Sequence, residues 1–371
     1  MAKVGRTTIL DKAGGKFSIK EMPLPDPPEP GTLLMKVEMC GICGTDVHMW
    51  QGHEGIVVPF PAPLGHEIVG KIVALGKGIE VDSVGKPVKE GDRIVIIPLV
   101  TCGKCYACTV LQEPAKCLNA LAYGHQSIET GFTGGYSSYL HMNIPNTGFL
   151  KTDLPPEVAV SLEPTSIAVS GMKRVGVTVG DTALVQGDGA IGLLTMIVAK
   201  EAGASKIVMV GTQEERLKLA EEFGADLIIN INEVNRLEAR IKLVKEQTRK
   251  GLGVDLVFEC AGVPLAFKEG FQYLRYGGRF CELGHFTDTG SVEINPSTDI
   301  CAKMATIVGS WSSLPDDFIR ALQVLELRKY PVGKMITHRL PLERLEEAFE
   351  AMAGDKIIDG KEIIKAVIAP Y

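Results

Sequence analysis

The chain lacks long apolar runs and any excess of positive charge. No stretch approaches the ~20 consecutive apolar residues that a membrane-spanning helix needs. The first residues, M-A-K-V-G-R-T-T-I-L-D, contain no apolar core of the length found in signal peptides. The net charge of −6 provides no basic surface for nucleic-acid phosphates. We therefore expect a cytoplasmic protein with neither a membrane nor a nucleic-acid partner.

Internal repeats and low-complexity tracts are also absent, and 371 residues suggest two domains of ordinary size. Up to about residue 150 the chain has short apolar runs separated by Gly and Pro, which predicts an all-β region. From residue 155 onward, β-branched runs alternate with helical stretches, which predicts a parallel sheet with helices on both faces. We predict an α/β protein in which a doubly wound (Rossmann) sheet, residues 165–311, is inserted into a β-rich domain, residues 1–164 and 312–371.

Four of the nine cysteines occupy one short loop. The run T-C-G-K-C-Y-A-C-T-V-L-Q-E-P-A-K-C contains Cys102, Cys105, Cys108 and Cys117, with gaps of two, two and eight residues. Four thiolates at this spacing predict a closed tetrahedral zinc site, which is structural because it has no open position for a substrate. Four buried thiols or two disulfides are the alternatives. Four further cysteines have apolar neighbours and are interpreted as core thiols: Cys40, Cys260, Cys281 and Cys301.

A glycine-rich motif predicts a dinucleotide site. Gly187, Gly189 and Gly192 form G-D-G-A-I-G between the strand T-A-L-V-Q and the helix I-G-L-L-T-M-I-V-A-K. The first glycine allows a tight turn, the second lets backbone approach a pyrophosphate, and the third lets helix and strand pack closely. The flanking strand and helix distinguish the motif from a chance turn, so we predict a site that also includes Ala190 and Ile191.

The second strand of this domain ends without the Asp or Glu that holds the ribose 2′-hydroxyl in many NAD sites. Gly211 and Thr212 stand there instead, which leaves room for a 2′-phosphate with Arg216 as a candidate partner. Glu214 and Glu215 could repel that phosphate, hold a ribose, or simply be solvated residues of a first helical turn. We favour NAD and leave NADP open.

A second set of metal-ligand types lies outside the cysteine loop. Cys43 stands in C-G-I-C-G-T-D-V-H, His66 and Glu67 in P-L-G-H-E-I-V-G, and Glu163 in S-L-E-P-T. One thiolate, one imidazole and one or two carboxylates can form a site with an open position, as catalytic zinc requires. Taken singly, a buried cysteine or a core histidine is the simpler interpretation. Together with the cysteine loop and the nucleotide fold, these residues predict a catalytic zinc.

The chain resembles the medium-chain zinc-dependent alcohol dehydrogenase family over nearly its full length. The matching pieces are C-G-I-C-G-T-D-V-H, the G-H-E element, the cysteine loop, the E-P pair, G-D-G-A-I-G and I-T-H-R-L-P-L. The resemblance implies a GroES-like catalytic domain, one catalytic and one structural zinc per chain, and NAD(P)-dependent conversion of an alcohol to a ketone. It also implies that Cys43, His66 and Glu163 hold the catalytic zinc, with Glu67 able to enter the coordination sphere.

Within the family, the chain resembles the polyol, threonine and butanediol dehydrogenase branch, because its later zinc ligand is a glutamate instead of a cysteine. The loop T-C-G-K-C-Y-A-C, its eight-residue final gap and the segment D-S-V-G-K-P-V-K most resemble inosose (cyclic polyol) dehydrogenases. The implied substrate is a secondary alcohol or polyol, and the implied assembly is a homotetramer or homodimer.

The resemblance further implies a proton relay beside the zinc. Zinc polarises the substrate hydroxyl while a hydride passes to the nicotinamide. Thr45 accepts from that oxygen, and His48 passes the proton to solvent through the cofactor ribose, since histidine changes charge near neutral pH. Asp46 is interpreted as support for a metal ligand. The remaining histidines lack a metal spacing and are interpreted as ordinary: His53, His125, His141, His285 and His338. His53 could also face the substrate.

Three other functions are weighed against this interpretation. An L-threonine 3-dehydrogenase-like activity requires partners for an ammonium and a carboxylate, which the sequence does not assign. A zinc-ribbon module that binds nucleic acid conflicts with the acidic net charge. A zinc-free quinone or enoyl reductase on the same fold conflicts with the ligand set of Cys43, His66 and Glu163.

Overall fold

The computed structural model describes residues 3–53 and 58–371. The chain forms two compact units, each with its own core. The first unit comprises Met1–Glu163, Leu314–Ile319 and Ile336–Tyr371, and the second comprises Pro164–Ser313 and Arg320–Met335.

Residues 320–335 belong to the second unit, whereas the sequence analysis assigned all of 312–371 to the β-rich domain. Ion pairs connect this segment to the second unit. Lys329 Nζ lies 2.7 Å from Glu201 Oε1, and Lys334 Nζ lies 2.5 Å from Glu222 Oε2. Both glutamates belong to helices of the second unit, so the segment contacts that unit.

The first unit is rich in strands and has short helices. Numbered in chain order, its strands are β1 (Val4–Leu10), β2 (Phe17–Pro23), β3 (Leu33–Gly41), β4 (Glu67–Leu75), β5 (Arg93–Ile97), β6 (Leu99–Val100), β7 (Leu121–Ala122), β8 (Tyr139–Met142), β9 (Gly148–Lys151), β16 (Ile336–Leu340), β17 (Ile357–Ile358), β18 (Lys361–Glu362) and β19 (Lys365–Ile368). Its helices are α1 (Gly44–Gln51), α2 (Tyr106–Thr109), α3 (Pro156–Ala159) and α10 (Leu345–Ala353). The chain passes between the units within α4 (Leu162–Val175) and α9 (Pro315–Glu326).

The main sheet of the first unit has the order β16-β19-β3-β4-β5-β9, with β8 also paired to β3. The central strand β3 pairs antiparallel with β4, where Gly41 lies opposite Glu67, and with β19, where Gly41 lies opposite Val367. A Cβ atom at Gly41 would lie 1.9 Å from Glu67 Oε2. The missing side chain therefore leaves space in which groups from β4 and β19 can meet.

The second unit contains six parallel strands and the helices between them. The strands are β10 (Thr182–Gln186), β11 (Lys206–Gly211), β12 (Leu227–Asn230), β13 (Val254–Glu259), β14 (Leu274–Glu282) and β15 (Thr306–Gly309). The helices are α5 (Ala190–Glu201), α6 (Glu214–Glu222), α7 (Leu237–Glu246) and α8 (Pro264–Tyr273). The sheet order β12-β11-β10-β13-β14-β15 is the order 3-2-1-4-5-6 of a dinucleotide-binding sheet. The predicted α/β fold with a Rossmann sheet is confirmed.

Short 3₁₀ or π turns lie at Pro114–Lys116, Ile128–Thr130, Arg249–Gly251, Pro296–Cys301, Val332–Met335 and Leu342–Arg344. Cys301 ends one of these turns and is exposed, so its interpretation as a core thiol is wrong. Cys40 and Cys281 are buried, and Cys260 is partly buried. Within the described ranges, no helix is both long and apolar enough to cross a bilayer.

Candidate active site

Three of the predicted metal ligands converge at the end of β3 and the start of β4. The chain leaves β3 at Gly41 and begins α1 at Gly44, so that Cys43 is the N-cap residue of this helix. Cys43 Sγ, one ring nitrogen of His66 and one carboxylate oxygen of Glu67 all lie within 4.8 Å of one another. A thiolate, an imidazole and a carboxylate are donors that zinc accepts, so this group fits the expected metal.

Asp46 contacts the His66 ring at Nδ1. Asp46 is fully buried; its Oδ2 accepts from the Tyr136 hydroxyl at 2.7 Å, and its Oδ1 lies 3.3 Å from His66 Nδ1. Burial raises the pKa of Asp46, but the charge of His66 and the hydrogen bonds outweigh it and lower that pKa. Burial lowers the pKa of His66, and the charge of Asp46 outweighs it and raises that pKa well above its usual range. A carboxylate behind a metal-binding histidine fixes its ring and tautomer.

Glu163 lies near this group without belonging to the set of atoms within 4.8 Å. It is the second residue of α4, and its side chain is buried. Burial raises its pKa to about 7; the charge of His66 opposes this increase, and the charge of Glu67 adds to it. A bound cation would favour its ionised form. The structure therefore places a carboxyl group with poor solvation beside the three donors.

Lys365 is the ionic partner of Glu67 and was not identified from the sequence. Its Nζ lies 2.6 Å from both Glu67 oxygens, and the two side chains are only 6% and 1% exposed. The pair meets across Gly41, because β19 and β4 flank β3. In the sequence, K-A-V-I reads as an ordinary closing strand. Only the strand order reveals its connection with the candidate metal ligands.

His125 also lies against the site, contrary to its interpretation as an ordinary histidine. Its ring centroid is 5.5 Å from that of His66, and donor atoms of Asp46, His66 and His125 lie within 4.8 Å of one another. Burial lowers the pKa of His125 to about 4, and the charge of His66 lowers it further. The sequence carries no spacing signal for this residue, because the turn after β7 delivers it from a distant part of the chain.

The two predicted relay residues lie on α1. Thr45 Oγ1 is 3.5 Å from Cys43 Sγ, so the hydroxyl stands beside the thiol of the candidate metal group. His48, one turn further along, is half-buried, and its Nδ1 lies 2.6 Å from Nδ1 of His53. Burial lowers the pKa of His48, and the charge of His53 lowers it further.

The four cysteines of the loop bring their sulfurs together, all within 4.8 Å of one another: Cys102, Cys105, Cys108 and Cys117. Cys105 Sγ is 3.5 Å from Cys108 Sγ and 3.8 Å from Cys117 Sγ. Zinc–sulfur bonds of about 2.3 Å in a tetrahedron place the sulfurs about 3.8 Å apart, whereas a disulfide is about 2.05 Å long. All four thiols are free, so the disulfide alternative is wrong and the geometry fits zinc.

Backbone N–H groups of the loop point at these sulfurs. A hydrogen bond from the backbone of Lys104 lowers the pKa of Cys102 to about 6, and one from Leu118 lowers that of Cys105. The Leu118 nitrogen lies 3.4 Å from Cys105 Sγ. Such bonds stabilise thiolates, which are the form that binds a metal.

The three glycines of the dinucleotide motif have the conformations that its roles require. Gly187 has φ of 102°, and a Cβ there would lie 2.7 Å from the Ala261 nitrogen. A Cβ at Gly192 would lie 1.8 Å from the Gly187 oxygen, so helix and strand touch at this point. A Cβ at Gly189 would meet no described atom within 4 Å, which leaves open space beside the backbone before α5. Ala190 and Ile191 begin this helix, where anions bind readily.

Asp188, which the sequence analysis did not assign a role, follows β10 in the chain, and its side chain reaches the end of β11. Its Oδ2 accepts from the backbone nitrogens of Thr212 and Gln213, each at 2.7 Å. A Cβ at Gly211 would lie 2.5 Å from the same oxygen, so only glycine fits there. A carboxylate thus reaches the place where many NAD sites have an acidic residue.

The two glutamates near this strand end form ion pairs within α6. Lys218 Nζ lies 2.8 Å from a carboxylate oxygen of both Glu214 and Glu215. Arg216 is buried, only 6% exposed. The glutamates therefore form helix-surface ion pairs.

A third cluster lies at the carboxyl ends of β13 and β14. Donor atoms of Glu259, Glu282 and His285 lie within 4.8 Å of one another. Glu259 is fully buried and accepts from the backbone of Ala261 and Gly262 at 2.8 and 3.0 Å. Burial, and then the charge of Glu282, raises the pKa of Glu259 to about 9.

This raised pKa predicts a pH-dependent stability. The folded chain binds more protons than the unfolded chain between about pH 4.5 and pH 9, so the free energy of unfolding falls as the pH rises. The glutamine of Glu259→Gln cannot ionise. We therefore expect the free energy of unfolding at pH 8 to be roughly 1–3 kcal/mol higher in this variant than in the wild type. Urea unfolding at pH 5 and pH 8 measures this gain, which should vanish at pH 5. The exposed Glu238→Gln is the control; equal stability of Glu259→Gln and the wild type at pH 8 would contradict the assignment.

Two family descriptions match the chain. Residues 29–152 match the "Alcohol dehydrogenase GroES-like domain", and residues 190–326 match the "Zinc-binding dehydrogenase" family. The first match covers β3, α1 and the cysteine loop, and the second covers most of the Rossmann sheet.

Several dehydrogenases are similar over most of their length. A 5-exo-hydroxycamphor dehydrogenase of Pseudomonas putida is 34% identical, over 91% of this chain and 93% of the relative. A sorbitol dehydrogenase of Halalkalibacterium halodurans is 31% identical, over 96% of each chain. An L-threonine 3-dehydrogenase of Pyrococcus furiosus is 32% identical, over 89% of this chain and 90% of the relative.

Solved structures of the same kind superpose over the whole chain. An alcohol dehydrogenase of Thermotoga maritima has a TM-score of 0.91 and 32% identity, with 100% of both chains covered. A zinc-binding dehydrogenase of Sinorhizobium meliloti, bound to NADP, has a TM-score of 0.84 and 28% identity, with 99% of this chain and 100% of that chain covered. An Escherichia coli alcohol dehydrogenase complexed with NADH has a TM-score of 0.80 and 27% identity, with 99% of both covered.

Proposed function

Since the chain belongs to the zinc-dependent alcohol dehydrogenase family, we propose that Cys43, His66 and Glu163 hold its catalytic zinc, with Glu67 as a further available ligand. The protein is an NAD(P)-dependent oxidoreductase that transfers a hydride between an alcohol and the cofactor. The observation that carries the proposed site is the convergence of Cys43, His66 and Glu67 donor atoms within 4.8 Å. Cys102, Cys105, Cys108 and Cys117 would hold the structural zinc.

Each residue around the proposed zinc has a separate task. When bound, the metal supplies Lewis-acid chemistry that makes a substrate hydroxyl more acidic, and the nicotinamide takes the hydride. Asp46 orients His66 through Nδ1 and leaves the other ring nitrogen for the metal. Lys365 neutralises Glu67, so the buried group carries less net charge. The low exposure of these residues keeps water from competing with the alcohol.

Thr45 and His48 would carry the proton released from the alcohol. Thr45 Oγ1 lies beside the metal-binding thiol, where it can accept from the substrate hydroxyl and donate onward. His48 is half-buried and has an ordinary pKa near neutrality that burial lowers, so its neutral form can accept a proton. The ribose of the cofactor would connect the two groups.

The dinucleotide would bind at the glycine-rich motif, with the pyrophosphate at Gly189, Ala190 and Ile191 and the close packing supplied by Gly187 and Gly192. Gly211, Thr212 and Arg216 would face the adenosine ribose. The carboxylate of Asp188 at this position supports NAD, because a negative group disfavours a 2′-phosphate. NADP remains the alternative cofactor.

For the substrate we propose a small secondary alcohol or polyol, which the sorbitol and hydroxycamphor dehydrogenases among the relatives support. The second candidate is L-threonine, because several relatives are L-threonine 3-dehydrogenases. We propose a cytoplasmic homotetramer or homodimer; nine free cysteines support a reducing compartment.

A steady-state screen of cyclic and linear polyols, cyclic secondary alcohols and L-threonine, each with NAD and then NADP, tests this proposal. We expect a polyol or secondary alcohol to exceed L-threonine in kcat/KM by at least ~10-fold, and NAD to exceed NADP by a similar factor. Activity should disappear with a zinc chelator and return with added zinc. Faster oxidation of L-threonine would establish the second candidate, and activity that resists complete zinc removal would refute the catalytic-zinc proposal.

A further inference from the structure

The C-terminal end of α1 brings two histidines together. The helix is followed by left-handed Gly52, with φ of 76°, whose N–H donates to the Met49 carbonyl at 3.1 Å. The N–H of His53 donates to the His48 carbonyl at 3.0 Å. These two bonds form a Schellman motif, in which the residue after the glycine packs against the residue five positions earlier. An apolar contact is common at that place, but here both residues are histidines.

The two rings are joined by a direct hydrogen bond. Their Nδ1 atoms are 2.6 Å apart, and their ring centroids are 4.9 Å apart. A ring nitrogen donates only when it carries a proton and accepts only when it does not, so this contact holds one shared proton. His48 is half-buried, whereas His53 is exposed. The hydrogen bond therefore leads from the protein interior to the solvent.

We propose that His53 is the proton exit of the relay: it takes the proton that His48 has accepted and gives it to water. The inference rests on the relay role proposed for His48. A proton bound by His48 passes across the Nδ1–Nδ1 contact, and His53 then releases a proton to water or to a buffer base. One proton enters the pair, one leaves it, and no electrons are transferred. Ketone reduction uses the same path in the opposite direction.

Two elements that carry charged residues pack against this end of the helix. The loop after β1 packs against it through the Gly14 N–H, which donates to the Trp50 carbonyl at 2.6 Å. On another side, α10 packs against it through Phe349, whose ring centroid is 6.0 Å from that of Trp50. The charged residues of these two elements are Asp11, Lys12, Lys16, Glu346, Glu347 and Glu350. These residues are the same in the wild type and in the variants below. A change in the pKa of His48 in His53→Gln is therefore caused by the loss of His53.

The test compares His53→Gln with His48→Gln in the zinc-loaded full chain. The substrate is the alcohol that gives the fastest turnover in the screen with NAD. Removing the second histidine charge raises the pKa of His48, so the acidic limb of the oxidation profile should move to higher pH. We expect kcat at pH 6 to fall about 3- to 10-fold in His53→Gln and to recover with increasing imidazole buffer.

The control is His141→Gln, a histidine of the same unit that contacts Thr32 and Glu29. It should keep the wild-type profile. Suppose that His48→Gln is slow, whereas His53→Gln has an unshifted acidic limb and does not respond to imidazole. That result would refute the role of His53 as the proton exit and leave the role of His48 in the relay. An unchanged profile in His48→Gln would instead refute the relay. Histidine NMR of the zinc-loaded enzyme without substrate gives a second readout: an unchanged pKa of His48 in His53→Gln would also overturn the proposal.

Discussion

Replacing Cys43 with alanine is expected to abolish turnover and leave a folded protein with one zinc instead of two. The Cys43 thiolate is one of the three converging donors, and that group contains no second thiol among the described residues. Zinc supplies several kcal/mol of stabilisation in the transition state, and about 4 kcal/mol corresponds to a factor of ~10³. We therefore expect kcat/KM to fall at least ~10³-fold. Metal analysis, steady-state kinetics and circular dichroism measure the three consequences.

The matched control is Cys102→Ala, which removes a sulfur from the other site. This variant should also lose one zinc, but its defect should be lower thermal stability or poorer assembly, because a structural metal supports folding. The fraction of this variant that still holds the catalytic zinc should retain most of the wild-type turnover. Near-normal activity in Cys43→Ala would rule out the proposed catalytic site. Equal loss of activity in both variants, with both proteins folded, would show that the sites do not have separate roles.

Replacing Lys365 with methionine is expected to destabilise the first unit by about 3–5 kcal/mol, because it leaves the carboxylate of Glu67 buried without its partner. Methionine keeps the apolar stem of the side chain, so little packing is lost. Chemical unfolding of the zinc-loaded protein measures the change. If Glu67 turns toward the metal once it is released from Lys365, zinc dissociation should also become slower, which a competing chelator detects.

The double variant Lys365→Met with Glu67→Gln separates charge from packing. Removing both charges should restore more than half of the lost stability, because neither partner is then left uncompensated. The exposed pair of Lys334 and Glu222 provides the comparison, and Lys334→Met should change stability by less than about 1 kcal/mol. A Lys365→Met protein as stable as the wild type would show that the contact between Lys365 and Glu67 does not stabilise the fold.

The sequence was most informative where a signal is local. The spacing of Cys102, Cys105, Cys108 and Cys117 predicts converging sulfurs because the four residues share one loop. The glycines of G-D-G-A-I-G predict a turn and a helix start for the same reason, and the structure shows both. The strand–helix alternation predicts the parallel sheet, since the side chains of each element carry its own periodicity.

Domain boundaries and auxiliary site residues were harder to predict. Helix α9 reads as one continuous apolar pattern, and nothing in that pattern marks where the chain changes units. The ion pairs of residues 329 and 334 with helices of the second unit show to which unit this segment belongs. His125 has unremarkable neighbours in the sequence, and Asp188 lies inside G-D-G-A-I-G, where the motif assigns roles to the glycines alone. Their relation to the site comes from a turn after β7 and from the end of β11.

By itself, the sequence determined the fold class, the cysteine loop and the dinucleotide motif, and it predicted the ligand types of a catalytic zinc, because each signal lies within a short segment. Only the tertiary structure decided which charge faces Glu67 and which exposed side chain His48 contacts. Lys365 is 298 positions from Glu67 and meets it only because β19 and β4 border the same glycine. The contact of His48 with His53 depends on the hydrogen bonds of one helix end. Contacts of these kinds arise from packing and backbone geometry, which a residue list does not contain.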